Sequence, residues 1–414
     1  MSKKIVALLL CVFTVILLCA CAKDGQTVDS NTTGAAAPET SDTTPTPDTD
    51  PSDPGTEPGT EPGTDPEPKP EPKPKTTYVL NSNTSGVKLL GVRRVDSDTA
   101  INCDWAGSGF ELNVNMTDSG VFFKVQATAD AYFRVYVDGV AVKADDGSDY
   151  QKVTPNTVMF GVSGIEAGEH NIKVVRVGDH TEPRLTFSSI IFAGTIKTDA
   201  TPADNALYVE FIGDQLASGK GLNGAEGYDA SLGFAYKTAE ALKADYSITA
   251  MNGLGLLTEE TYFDSVYSKS SPKHDNTANY AFTRKADAVV VAFGLNDTLA
   301  EVDANEFTAE YLEMLFTIRA NNGENCKIYC LYADAGMGDQ IAAACVAFGG
   351  EAAGVYTVEA TGVSTETLPT AEQHAAIATA IAEKINATKD SAITVKPSNS
   401  GTGEVFDWED GKTA

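Results

Sequence analysis

Leu207-Tyr-Val-Glu-Phe-Ile-Gly-Asp-Gln-Leu-Ala-Ser-Gly-Lys-Gly221 is the stretch around which the chain is organised. Its apolar run, residues 207–212, alternates as a β-strand does, and Gly213-Asp214 is a turn signal that ends the strand. A strand that ends in a sharp turn presents the next residue at the carboxyl edge of an α/β sheet, where such folds place their chemistry. The residue presented here is Gln215, whose amide is neither a nucleophile nor a titrating group.

Strand and helix patterns alternate after this stretch, which predicts a parallel, three-layer α/β domain over residues 206–388. The predicted strands are Leu207–Ile212, Tyr246–Met251, Ala288–Phe293, Lys327–Tyr332 and Gly354–Val358. The predicted helices are Leu232–Lys243, Asn305–Ala320, Asp339–Phe348 and Pro369–Ala387. In the C-terminal tail, residues 389–414, Ser391–Val395 is a candidate edge strand.

The preceding region, residues 76–197, is predicted to be all-β, as a sandwich or jelly roll. Phe122–Gln126, Tyr132–Val137 and Asn171–Val177 alternate with period two, and Asp138-Gly139 is a hairpin turn signal. Two side chains in this region have open interpretations. Trp105 could stack on a sugar ring or be buried at a sheet edge, the latter being commoner, and His170 is expected to be structural.

The N-terminus is typical of an exported protein. Lys3-Lys4 precede an apolar run, Ile5–Leu18, and Leu18-Cys19-Ala20-Cys21 resembles a bacterial lipobox in which Cys21 is lipidated. A transmembrane anchor is the alternative, but the run is short of the ~20 apolar residues that a span needs. Residues 22–75 are rich in Pro, Thr, Asp and Glu with few large apolar residues, which predicts a disordered stalk.

Charge and cysteine content restrict the possible functions. The chain has 30 Lys and Arg against 58 Asp and Glu, a net charge of −28, which argues against nucleic-acid binding. It fits a neutral ligand, or simply a soluble surface. Past residue 21, Cys103, Cys326, Cys330 and Cys345 are expected to be buried free thiols, and neither a metal-ligand spacing nor a cofactor motif is present.

The Glu-Phe-Ile-Gly-Asp motif resembles the first sequence block of the SGNH/GDSL hydrolases, in which the residue after Gly-Asp is the nucleophilic Ser. With the β-rich region before it, the chain resembles carbohydrate esterase family two, bacterial deacetylases of plant polysaccharides. The similarity covers roughly Trp105 to Asn386. It implies a flavodoxin-like, three-layer SGNH domain with a five-stranded parallel sheet, preceded by a jelly roll.

The resemblance assigns a role to one position in each of four blocks. Gln215 stands at the nucleophile position. Gly253, in the Met-Asn-Gly-Leu-Gly segment after the second strand, and Asn296, in Gly-Leu-Asn-Asp, stand at the two oxyanion-donor positions. Leu368 stands at the position of the base His, before the Pro of the last helix. The resemblance therefore predicts that the oxyanion donors remain while the nucleophile and the base are replaced.

Three nearby residues are weak substitutes for the missing groups. Ser218 is expected to point away from the site, His374 lies inside a helix rather than in the loop, and Glu366 is only the nearest carboxylate. Pro369 is expected at the first position of the helix.

Three functions follow from these patterns. The first is a catalytically degenerate lipoprotein of the bacterial cell envelope that binds a glycan or another partner. The second is an active O-deacetylase that uses non-standard residues. The third is an adhesive or structural protein in which the α/β domain is a spacer. A glycan such as an acetylated plant polysaccharide and the membrane, reached through the lipid, are the expected partners.

Overall fold

A computed structural model describes residues 73–95, 97–223, 227–258, 263–272, 279–333 and 336–397, and the backbone of 406–407 and 412–413. The predicted signal peptide with Cys21, and nearly all of the predicted stalk, lie outside these residues. The same holds for His274. Among the helices of the described part, none combines the length and hydrophobicity needed to cross a membrane.

A five-stranded parallel sheet organises the C-terminal half. The strands are β11 (Tyr208–Gly213), β12 (Asp245–Ala250), β13 (Ala288–Ala292), β14 (Lys327–Tyr332) and β15 (Val355–Glu359). In the sheet order β12-β11-β13-β14-β15, β11 lies between β12 and β13, and its Gly213 is in register with the last residue of each neighbour, Ala250 and Ala292. The register therefore brings the segments that follow these three strands to one edge.

Helices cover both faces of this sheet: α1 (Phe234–Leu242), α2 (Phe263–Tyr267), α3 (Leu295–Leu299), α4 (Ala304–Asn322), α5 (Gly338–Phe348) and α6 (Ala371–Thr388). Because successive strand residues point to opposite faces, Phe211 and Val290 join α1 and α6 in one core. Ile212 and Val291 join α4 and α5 in the other. The predicted flavodoxin-like, three-layer arrangement is confirmed.

The N-terminal half is a ten-stranded antiparallel, jelly-roll-like sheet in which the long strand β4 (Gly109–Gln126) pairs with four others. The remaining strands are β1 (Thr76–Val79), β2 (Val87–Leu90), β3 (Ile101–Cys103), β5 (Ala131–Val137), β6 (Val140–Ala141), β7 (Gln151–Val153), β8 (Met159–Ser163), β9 (Gly168–Arg176) and β10 (Leu185–Ile196). The predicted Asp138-Gly139 turn joins β5 and β6, and both of its residues have positive φ, as a type I′ hairpin turn requires.

The two sheets share part of their hydrophobic core and are joined by buried polar contacts. Arg93 forms an ion pair with Glu210 of β11, and both side chains are buried. The Arg93 guanidinium also lies over the rings of Tyr267, Tyr280 and Phe282 at 4.5–4.7 Å. Removal of one partner would leave a buried charge unpaired, at a cost of about 3–5 kcal/mol.

Trp105 belongs to this shared core. It is 2% exposed, and its Nε1–H donates to the Ser270 carbonyl at 2.9 Å. It therefore cannot stack on a sugar, and the buried alternative is correct. The four cysteines after residue 21 are free and buried, as predicted.

Two local expectations were wrong. Ser391–Val395 is not a strand. The Ser391 N–H donates to the Thr388 carbonyl, and the N–H groups of Thr394 and Val395 both donate to one carbonyl, that of Ala352, which is not a strand ladder. Pro369 is not the first helical residue. Thr370 caps α6 in a capping box with Gln373, since its side chain can accept a backbone N–H and that of proline cannot.

Candidate functional site

The end of strand β11 is shaped by close packing and by a buried carboxyl group. A Cβ on Gly213 would lie 2.7 Å from the carbonyl oxygen of Ala292, so only glycine fits between the strands. Asp214 Oδ1 accepts the Leu216 N–H at 2.8 Å, which turns the chain sharply. Burial, with a contribution from the Asp297 carboxyl, raises the pKa of Asp214 to about 7.

The turn places the Gln215 side chain in a cluster of amides formed by Gln215, Gly253 and Asn296, called here the amide cluster. Gln215 Oε1 accepts the Gly253 N–H at 3.2 Å and the Asn296 Nδ2–H at 2.9 Å. Gln215 Nε2 in turn donates to Asn296 Oδ1 at 3.0 Å. The two side-chain amides thus form a doubly hydrogen-bonded pair, and Gln215 is only 7% exposed.

Backbone geometry fixes the two donors of the cluster. Gly253 has a φ of 79° and Gly294, the N-cap residue of α3, a φ of 113°, values that favour glycine. Asn296 Nδ2 also donates to the Leu254 carbonyl at 2.9 Å. The donors are therefore oriented by the fold and do not depend on Gln215 for their position.

Asp297, next to the cluster, connects α3 to the loop after β12. Its Oδ1 accepts the N–H groups of Leu256 and Leu257, each at 2.9 Å. Burial raises its pKa, and Oδ2 is buried without a hydrogen-bond partner among the described residues. Asp297 is thus a structural acceptor that brings the Gly253 loop up to Asn296.

Ser218 lies close in sequence but turns inward. It is fully buried, and its hydroxyl donates to the Gln215 carbonyl at 3.2 Å. Its oxygen therefore supports the turn rather than facing a ligand.

Leu368 lies in a loop, residues 364–370, that leads to α6. The side chain is 39% exposed, and a Cβ on Gly221 would come within 2.9 Å of its Cδ1. The loop is held by its own residues, since Ser364 Oγ accepts the N–H groups of Glu366 and Thr367.

His374 lies in the core between α1 and α6. Its Nδ1 accepts the Phe234 N–H at 3.1 Å, its ring stacks on Phe234, and it is fully buried. Desolvation lowers its pKa to about 4, so it is neutral at pH 7. Nε2 has no hydrogen-bond partner among the described residues.

The other described histidines belong to the antiparallel half of the chain. His170 Nδ1 pairs with Asp138 Oδ2 at 2.7 Å. This contact raises the pKa of His170 and stabilises the β5–β6 turn. This is the structural role expected for it. His180 pairs with Asp179 at 3.0 Å. Within the described ranges, no group of three or more His, Cys, Asp or Glu is arranged to hold a metal ion.

The sequence predicted that Gln215, Gly253 and Asn296 lie at one sheet edge, but it did not predict that the two side-chain amides pair. A signal was present, since Gln215 and Asn296 follow the ends of neighbouring strands. Asn252 and Lys220 were also missed. Lys220 Nζ donates to Asn252 Oδ1 at 3.3 Å, linking the two loops that flank the cluster.

No protein-family model matches the chain, and no curated protein does, but solved structures do. A family two carbohydrate esterase from Clostridium thermocellum, in complex with cellohexaose, is 20% identical, with a TM-score of 0.63 over 73% of this chain and 98% of that one. The acetyl xylan esterase Est2A from the rumen bacterium Butyrivibrio proteoclasticus is 17% identical, with a TM-score of 0.66 over 75% and 98%. The fold is that of the family two carbohydrate esterases.

A further structure with this fold is of a carbohydrate esterase whose active site displays divergent catalytic and non-catalytic binding functions. It is 14% identical, with a TM-score of 0.56 over 78% of this chain and all of that one. At identities of 14–20% these esterases share architecture with the chain. The chemistry of its site has to be argued from its own residues.

Proposed function

We propose that this protein is a lipoprotein of the bacterial cell envelope that uses a carbohydrate esterase scaffold to bind a glycan without hydrolysing an ester. One observation carries the proposal. Both donors at the oxyanion positions, the Gly253 N–H and Asn296 Nδ2, are occupied by Gln215 Oε1, at 3.2 and 2.9 Å. The residue at the nucleophile position thus fills the oxyanion site.

The chemistry of ester hydrolysis supports a loss of activity. Acyl transfer needs an attacking hydroxyl or thiol and a base to take its proton. An amide cannot attack, Leu368 cannot accept a proton, and His374 is buried against Phe234. Loss of the nucleophile or the base in such a unit costs about 10⁶ in kcat.

Carbohydrate binding is supported by the scaffold and by charge. One esterase of the same fold was solved with cellohexaose bound, and another combines catalytic with non-catalytic binding functions. A net charge of −28 is compatible with an uncharged polymer. Beside the amide cluster, Lys220 and Asn252 offer polar groups to sugar hydroxyls.

The proposed location rests on the N-terminal sequence. A positive segment, an apolar run and the Leu-Cys-Ala-Cys21 motif fit lipidation at Cys21, and the Pro-rich stalk would hold the folded part away from the membrane. Expression in a bacterium with Cys21→Ala as the control tests this. The wild-type protein should fractionate with membranes and the variant should not; equal membrane association would contradict lipid anchoring.

Activity is tested with a chromogenic acetate ester and with acetylated xylan. We expect no turnover above that of the Gln215→Ala variant, together with measurable heat when some polysaccharide of a glycan panel is titrated. Turnover that Asn296→Ala abolishes would establish the alternative, an active hydrolase. If no glycan of the panel gives heat, the result would favour an adhesive or structural protein in which the α/β domain is a spacer.

A gain-of-function variant tests the assignment of the positions. Gln215→Ser combined with Leu368→His restores a hydroxyl and an imidazole while the donors Gly253 and Asn296 remain. We expect acetate ester hydrolysis in the double variant and none in either single variant. A folded double variant without activity would contradict the assignment of Leu368 to the base position.

A further inference from the structure

The Gln215 side chain is an internal ligand of its own site. In an acyl-transfer site, two such donors would hold the carbonyl oxygen of the bound acyl group. Here that place is taken by the carbonyl oxygen of a primary amide attached to the chain. The Gln215 Nε2 is engaged as well, on Asn296 Oδ1. An incoming ligand carbonyl would have to break three hydrogen bonds before it could form its own.

We propose that the site selects glycans that lack acetyl groups, and that Gln215 is the residue that excludes acetylated ones. This inference rests on the proposed function and specifies its ligand. An O-acetyl group directed at the cluster would meet the filled space of a side chain that is only 7% exposed. Its carbonyl would also lose water without gaining a donor, since both donors are already in use. A bare hydroxyl at the same position needs less space.

The rigidity of the cluster makes this exclusion effective. The Gln215 main chain is held by Ser218, whose hydroxyl donates to the Gln215 carbonyl. Asn296 is held independently by the Leu254 carbonyl, and Gly253 by its left-handed backbone. The Gln215 main chain and the two donors are therefore each held by contacts of their own, and moving the Gln215 side chain aside would leave the Gly253 N–H and the Asn296 amide without these partners.

The test compares one polysaccharide in two forms, an acetylated xylan and the same batch after alkaline deacetylation, by titration calorimetry. We expect the purified wild-type protein to bind the deacetylated form about tenfold more tightly or better, the ratio for one buried hydrogen bond lost without replacement. Gln215→Ala removes the side-chain amide and leaves the Gly253 N–H and Asn296 Nδ2 free to bind a carbonyl. This variant should therefore lose or reverse the preference for the deacetylated polymer. Gln215→Met fills the same space but offers no amide oxygen to the two donors, so it should retain only the part of the preference that the filled space gives.

A second measurement does not depend on the polymer. Acetamide is a small probe of the two donors, and the backbone amide signal of Gly253 in an NMR spectrum reports on its binding. Acetamide should shift this signal in Gln215→Ala and leave it unchanged in the wild-type protein. A shift of the same size in the wild-type protein would show that Gln215 leaves its place readily, and would overturn the inference.

The outcomes separate the two proposals. Equal affinity of the wild-type protein for both polymers would overturn the inference and leave glycan binding intact. A preference that persists in Gln215→Ala would overturn the role of Gln215. If neither polymer binds to the wild-type protein, the proposed function fails for this glycan class and the inference fails with it.

Discussion

The amide cluster and the 364–370 loop, to which the sequence resemblance assigns the replaced nucleophile and the replaced base, are built differently. Gln215, Gly253 and Asn296 come from three strand ends and bond to one another. The loop with Leu368 bonds mainly to itself, and Leu368 is 39% exposed. A change in the first region must find partners on other strands, whereas a change in the second is accommodated locally.

Among the polar side chains around the amide cluster, the largest effect should come from Asp297, which connects the cluster to the rest of the fold. Asp297→Ala leaves the Leu256 and Leu257 N–H groups without their acceptor, and we expect a loss of about 2–3 kcal/mol in the free energy of unfolding. Urea denaturation at pH 7 measures it.

Asp297→Asn is the matched control. Its amide oxygen can accept both N–H groups, and the variant lacks the buried carboxyl whose pKa is raised by desolvation. It should stay within about 1 kcal/mol of the wild-type protein. Equal destabilisation by the two variants would mean that the hydrogen bonds do not hold the region together.

The buried acid of the first region should give a pH dependence. Asp214 stays protonated up to about pH 7 in the folded chain, against 3.8 for a free carboxyl. Its stabilising contribution is therefore complete below pH 3.8 and is lost as the pH rises towards 7. Relative to Asp214→Asn, the wild-type free energy of unfolding should fall between pH 4 and 7, by up to about 1.4 kcal/mol per pH unit.

The histidine beyond the 364–370 loop should give the opposite dependence. His374 remains neutral down to about pH 4 when folded, against 6.5 when unfolded. Its contribution is present above pH 6.5 and is lost as the pH falls to 4. His374→Asn keeps an acceptor near the Phe234 N–H and should remove this slope. Urea titrations between pH 4 and 6.5 would contradict the assignment if wild type and variant ran parallel.

The smallest effect is expected at Leu368. Since this side chain is partly exposed and its loop is held by other residues, Leu368→Ala should change the free energy of unfolding by no more than about 0.5 kcal/mol. Leu254→Ala, at a buried leucine of the first region, is the control and should cost about 2–5 kcal/mol. Similar losses at both positions would erase the contrast between the regions.

Most of the fold could be predicted from local patterns. Each end of the five parallel strands lies within one residue of its predicted position. Short apolar runs bounded by turn residues are a strong local indication of buried strands. The errors lie where a side chain decides the boundary. The cap of α6 is set by the Thr370–Gln373 box. Ser391–Val395 has an alternating pattern, but its Thr394 and Val395 N–H groups donate to the Ala352 carbonyl in the turn before β15 rather than along a strand edge.

By itself, the sequence determined which residue types stand after the ends of three strands, an amide at 215, glycine at 253 and an amide at 296, and that an aliphatic side chain stands at 368, in the loop before the last helix. Those identities exclude an ordinary nucleophile and base at these positions. Only the tertiary structure decided that the Gln215 amide folds back onto Gly253 and Asn296. The reason is physical: hydrogen bonds between residues 38 and 81 positions apart depend on strand register and loop geometry, which local sequence does not encode.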